Sequence, residues 1–139
     1  LKAEMPQKLE RYVQQALTAY RKTRDTVRIF CDGEDVELQP QQILYAEMSA
    51  RKVCLHMQGA DRALLYTTAT MADLADLLEN HGFVRTHKSV LVNMEHIRNL
   101  QSTRLYLRDG TELPVSSHTA SAVRKIYTQW RSAKKWVIG

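Results

Sequence analysis

The sequence predicts a mostly antiparallel β protein with two or three helices, and three observations carry that prediction. Short apolar, strand-like runs recur along the chain, at Val27 to Cys31, Val36 to Leu38, Ile43 to Met48, Val53 to Met57 and Phe83 to Val92. Two Asp-Gly dipeptides, Asp32-Gly33 and Asp109-Gly110, stand between such runs, where glycine accepts the positive φ of a tight hairpin. Helical period, by contrast, is confined to a few stretches.

Taken in order, Pro6 to Lys22 reads as an amphipathic helix. Leu9, Val13, Ala16, Leu17 and Tyr20 recur at helical spacing, and Pro6 is tolerated near the first turn. Lys22 to Thr26 is a short charged connector. The Asp32-Gly33 hairpin follows, and then the strands Ile43 to Met48 and Val53 to Met57, separated by Ser49-Ala50-Arg51-Lys52; Arg62 to Thr68 continues the sheet. The period then changes. Thr70 caps a helix with Asp73 at its third position, Met71, Leu74, Leu77 and Leu78 form its stripe, and Gly82 stops it. Phe83 to Val92 opens with an aromatic-basic strand, sets His87 and Lys88 side by side and then runs Val90-Leu91-Val92, which is stable only when buried, with an irregular piece from Met94 to Ile97 behind it. Leu105 to Arg108 and Thr111 to Val115 flank the second Asp-Gly turn. Ser116 and Ser117 cap a final helix through Trp130, with Val123, Ile126, Tyr127 and Trp130 on one face. Arg131 to Gly139 is a basic tail with an apolar end, read either as disordered or as covering a strand edge. The expected division is a leading helix and linker over 1–26, one domain over 27–130 and a tail over 131–139.

The chain has 139 residues, the size of one domain with its own core. No run approaches the roughly eighteen apolar residues of a membrane span, and no signal-peptide block opens the chain. The two cysteines, Cys31 and Cys54, lie far apart in apolar contexts without metal-ligand spacing, which suits reduced buried thiols and a cytoplasmic location. Net charge is +5, and its distribution matters more than its sum. From Ile29 to Gly82 there are nine acids and three bases, two of the bases being the neighbours Arg51 and Lys52; from Leu113 onward there are five bases and no acid. Such segregation suits a surface that meets a polyanion on one side, although a merely solvated face gives the same count.

The stretch Phe83-x-Arg85-x-His87-Lys88-Ser89-x-Leu91-Val92-Asn93, then Ile97, then Leu105-x-Leu107-Arg108-Asp109-Gly110-x-x-Leu113-Pro114-Val115-Ser116, resembles the LytTR family of DNA-binding output domains of bacterial response regulators. The resemblance runs from about Val27 to Tyr127. It implies an elongated stack of small antiparallel sheets, mainly β with minor α, and double-stranded DNA as the partner. Leu1-Lys2-Ala3 and the helix after it resemble the end of a receiver domain, which implies an upstream receiver and its histidine kinase. The other reading is a native leading helix packed on the domain or on a second copy.

Three loops carry the binding expectation. Arg51 and Lys52 sit at a strand-to-strand turn; an arginine there can donate a fork to guanine O6 and N7, and a lysine more often neutralises a phosphate. By the resemblance, His87 and Lys88 lie at the DNA surface with Ser89 as a phosphate donor, while His87 is also readable as a buried structural histidine. Asn93 and Arg85 are read as structural, the first closing a turn and the second pairing with an acid. The third loop is Pro114 to His118, where a helix N-terminus would offer amide donors to phosphate. Members of the family commonly hold an arginine just after Pro-Val-Ser. Here Ser117 stands there, followed by His118, so discrimination weakens or passes to His118. Arg51 likewise replaces a histidine of some relatives, so a relative's target sequence does not transfer.

No phosphate loop, nucleophile elbow or paired histidine motif is present. The expectation is a non-enzymatic, sequence-specific DNA-binding domain that needs no cofactor and pairs as a homodimer on repeated half-sites, because one such domain is a small interface. Competing readings are a protein-interaction or dimerisation module without DNA binding, and a histidine-based metalloenzyme built on His87 or His118. Single-stranded RNA binding is least favoured: ten aromatic rings, mostly on core-facing periods, leave few stacking platforms.

Overall fold

The computed structural model describes residues 26–59 and 62–138; the expected leading helix at Pro6 to Lys22 lies outside them. Ten strands build two antiparallel sheets. The larger holds β1 (Val27–Cys31), β2 (Glu34–Leu38), β3 (Ile43–Ser49), β4 (Lys52–Met57), β5 (Leu64–Thr67), β6 (Phe83–His87) and β7 (Val90–Asn93), in the spatial order β2-β1-β5-β4-β3-β7-β6. The smaller holds β8 (Ile97–Leu100), β9 (Arg104–Leu107) and β10 (Glu112–Pro114), with β9 in the middle. Two helices complete the described fold, α1 (Met71–Leu78) and α2 (Ala120–Ile138). The mainly β expectation is borne out, with sheets of unequal size.

Both Asp-Gly turns close hairpins. Asp32 and Gly33 take φ of 52° and 88° between the paired Cys31 and Glu34, the two positive values of a type I′ turn. At the second, Gly110 (φ 94°) follows Arg108 and Asp109 in a three-residue loop. Asp109 Oδ1 accepts the Thr111 amide at 2.9 Å, and this contact with that of the Thr111 hydroxyl holds its carboxyl below the ordinary 3.8.

Strand pairing settles two further stretches. Phe83 to Val92 forms a hairpin: His87 faces Val90, and Lys88-Ser89 is its two-residue turn. The irregular piece expected from Met94 to Ile97 is a 3-10 turn, Met94–His96, which leads at Ile97 into β8, a four-residue strand too short to carry much sequence signal.

Burial follows from β7. Its four residues are all buried, Leu91 toward one face and Val90 and Val92 toward the other. On the first face Met71, Leu74 and Leu78 of α1 meet Ile29, Val53, Leu55, Leu65 and Phe83. Leu77 is 40% exposed, contrary to its expected place in the stripe, because it falls about 60° outside the arc of the other three. Thr70 caps α1 as expected, its Oγ1 accepting the Asp73 amide at 3.0 Å.

On the second face the small sheet and α2 cover the β3-β7-β6 end. Tyr45, Val84, Val90 and Val92 pack with Leu105, Leu107, Leu113, Val115 and Val123, and Tyr127 and Trp130 close the side. Ile126 is exposed rather than in that face. A bulge between Ile43 and Tyr45 lets both Ile43 and Ala46 face α1 while Tyr45 turns to the second core. The final helix does not end at Trp130: α2 continues to Ile138, so residues 131–138 prolong the helix. No Gly, Pro or acid interrupts that stretch. Among the described residues no helix is long and apolar enough to cross a membrane.

Candidate nucleic-acid interface

Arg51 and Lys52 sit at the β3–β4 turn. Ser49 pairs with Lys52, leaving Ala50 and Arg51 as a two-residue loop, and Ala50 takes a φ of 57°. Left-handed backbone at alanine costs about 1 kcal/mol, and the reversal it permits holds Arg51 and Lys52 exposed at the tip. An open groove beside them is lined by Asp32, Ser49 and Tyr66, and the nearby Asp32 carboxylate is paired with Arg62.

The His87–Ser89 turn lies at the same end of the sheet, because the Met48 amide donates to the Ser89 carbonyl at 3.0 Å. His87 is half-buried and Lys88 exposed. The Ser89 amide lies 3.2 Å from His87 Nδ1, and the Ser89 hydroxyl 2.9 Å from it. An amide can only donate, so Nδ1 accepts. The neutral ring then carries its proton on Nε2, directed away from that contact. The Ser89 hydroxyl and amide thus both meet His87 Nδ1 within the turn. Arg85 donates to the Lys88 carbonyl at 2.6 Å rather than to an acid, bracing the turn.

The third loop hangs from β6. Thr86, fully buried, donates from its hydroxyl to the Pro114 carbonyl at 2.9 Å, and its own carbonyl accepts the Ser116 amide at 2.8 Å and the Thr119 hydroxyl at 3.3 Å. Thr86 is thus the strut between His87 and the segment from Ser116 to His118. Sequence reading missed it, since a threonine inside a strand carries no signal of its tertiary partner. The helix start differs from expectation too. Ser116 Oγ accepts the His118 amide at 3.3 Å and the Ser116 carbonyl accepts the Thr119 amide at 3.1 Å, forming a separate turn before α2 begins at Ala120. The amides of Ser116, His118 and Thr119 are engaged within the protein. What this loop presents to solvent is the exposed side chains of Ser117 and His118.

Asn93 is structural, as read: its amide nitrogen donates to the Pro40 and Ile43 carbonyls at 3.2 and 3.0 Å, and its oxygen accepts the Glu95 amide at 3.0 Å. Cys31 and Cys54 are both free and buried, on opposite faces of the sheet; burial pushes the Cys31 thiol up to about 11 and raises that of Cys54. Among the described residues no cluster of His, Cys, Asp and Glu is arranged to hold a metal ion.

The eight expected side chains thus fall into three loops at one end of the large sheet, carrying cations and hydrogen-bonding groups on a rigid base. A family model described as the LytTr DNA-binding domain matches residues 33–128. No curated protein matches the chain by sequence. Among solved structures the chain is similar to one named as the LytTr DNA-binding domain of a methyl-accepting/DNA response regulator from Bacillus cereus. The two share 23% identity and a TM-score of 0.62, over 74% of this chain and 96% of that one, a likeness of fold.

Proposed function

The chain belongs to the LytTr DNA-binding domain family, and from that premise we propose that it is the sequence-reading output domain of a bacterial two-component transcription regulator, acting without catalysis. The observation that carries the proposal is the convergence of three short loops, with Arg51, Lys52, Lys88, Ser117 and His118 exposed, His87 half-buried beside them, and the loops tied to one another through Ser89 and Thr86.

Arg51 offers the fork that matches a guanine edge, worth about 1 to 3 kcal/mol of discrimination. Lys52 and Lys88 neutralise phosphates. His87, oriented by Ser89, offers an Nε2–H donor to a base acceptor or a phosphate oxygen. Ser116 sets the third turn, and Ser117 and His118 take the base position that an arginine serves in many relatives. With so small a footprint, tight binding needs two copies on half-sites about one helical turn apart. Pairing of two chains would follow phosphorylation of an upstream receiver by its histidine kinase, in the cytoplasm.

The test is selection of sites from random duplexes, followed by titration of the enriched site at several salt concentrations. The expected result is a repeated motif, two chains per duplex by analytical ultracentrifugation, and affinity that falls steeply with salt. Arg51→Ala should cost about 1 to 3 kcal/mol and relax one base position, whereas Lys88→Ala should weaken all sequences alike and lower the salt slope by about one. Equal weakening of target and random duplex by both variants would remove Arg51 from base reading. Absence of any enriched motif would remove the proposal.

A further inference from the structure

A second cationic surface lies outside the three loops. A groove between β8 and α2 is lined by Arg98, Asn99, Arg124, Tyr127, Thr128 and Arg131. Arg124 and Arg131 are seven residues apart, two helical turns, so they project from one face of α2 about 10 Å apart. Arg124 donates to the Leu100 carbonyl at 3.2 Å, docking the helix on β8, and the Arg131 guanidinium lies 5.6 Å from the centre of the Tyr127 ring. Arg98 is exposed on the facing strand. Among the described residues the ion pairs seen include Arg28–Glu37, His56–Glu47, Arg62–Asp32 and Arg104–Glu112, and none of these takes up Arg98, Arg124 or Arg131. The helix itself bears Arg124, Lys125, Arg131, Lys134 and Lys135 and no acid.

The groove is continuous with the loop end of the molecule. β8 leads into residues 101–103, where the Thr103 carbonyl accepts the Val115 amide at 2.9 Å, and Val115 immediately precedes the Ser116–His118 turn. The groove therefore begins beside the third loop and runs away from it along α2.

We infer that this groove is a binding site for the phosphodiester backbone of DNA flanking the stretch read by the three loops. The inference rests on the proposed DNA-reading function, and it assigns to Arg98 and Arg131 contacts that the loops cannot reach. Openness decides the ligand class. All three arginines are exposed, so a free small anion would meet charges screened by water and salt and would be held weakly. A duplex already held by the loops presents its next phosphates at high effective concentration, so weak individual contacts add up. Guanidinium groups suit the task because they fork onto phosphate oxygens.

The test embeds the selected site in two duplexes, one ending at the motif and one extended by about ten base pairs, a helical turn, on each side. Wild-type protein should bind the extended duplex several-fold more tightly. The double variant Arg98→Gln, Arg131→Gln, which changes two exposed side chains without touching the Arg124 bond to Leu100, should lose that gain. Its salt slope on the extended duplex should drop by about two, with affinity for the short duplex and the selected motif unchanged. Lys125→Gln, a charge removed from the same helix outside the groove, should retain the gain. If the flanks add nothing to wild-type binding, if the double variant keeps the gain, or if Lys125→Gln loses as much, the groove is not a phosphate site. Those failures leave binding of the short duplex intact, whereas failure of wild type to bind the short duplex selectively would refute the DNA-reading proposal itself.

Discussion

Thr86 shows how one buried side chain can align a surface it never reaches. Its hydroxyl and carbonyl tie Pro114, Ser116 and Thr119 to β6, one residue from His87. Thr86→Val keeps the shape but leaves the Pro114 carbonyl without that donor. The expected loss is about 1 kcal/mol in urea denaturation, with affinity for the selected site falling more than affinity for random duplex. Buried acidic groups make a second prediction. Cys31 ionises near 9.0 when unfolded and at about 11 when folded, and Tyr45, raised mainly by burial and then by Glu47, moves from 10.0 to about 12. Both folded values are raised, so their contribution is present in full below pH 9 and is lost as pH rises toward 11 and 12. The urea midpoint should therefore fall steeply above pH 9, and less steeply in Cys31→Ala.

At the scale of elements, the C-terminal side of α1 and the body of α2 meet at Gly82. Its φ of 84° lets the chain leave the 3-10 turn after α1, and a Cβ there would lie 2.9 Å from Trp130 Nε1. Gly82→Ala is expected to cost about 2 kcal/mol or more, combining left-handed strain with displacement of the indole. Gly33→Ala, where a Cβ meets nothing within 4 Å, should cost the backbone term alone. Comparing the two by chemical denaturation isolates the α2 contact, and Trp130 fluorescence should shift only in the first. Helix boundaries were legible where a cap is local, as at Thr70. They were not legible at Ser116, whose turn depends on a carbonyl thirty residues earlier in β6.

For the whole molecule, one strand joins two cores. Leu91 packs under α1 while Val90 and Val92 pack under the small sheet and α2, so neither core can open without uncovering β7. Unfolding should then be a single transition, with tryptophan fluorescence, which reports α2, coincident with far-UV circular dichroism, which reports the strands. Leu105→Ala, in the second core only, should shift both probes together by about 2 to 5 kcal/mol. An earlier fluorescence transition would show the cores to be independent.

The sequence by itself determined the β class, both Asp-Gly hairpins, the α1 cap, the structural role of Asn93 and the three segments that hold the candidate side chains. These follow from local chemistry: glycine at positive φ, a hydroxyl facing an amide three residues on, and period of apolar residues. Only the tertiary structure decided that Phe83 to Val92 folds back at Lys88-Ser89, that Ser89 orients His87, that Thr86 suspends the third loop and that Arg98 meets Arg124 and Arg131 across a groove. Each of these depends on which strands become neighbours. That pairing is set by the burial of β7 on both faces, which no stretch of sequence expresses alone.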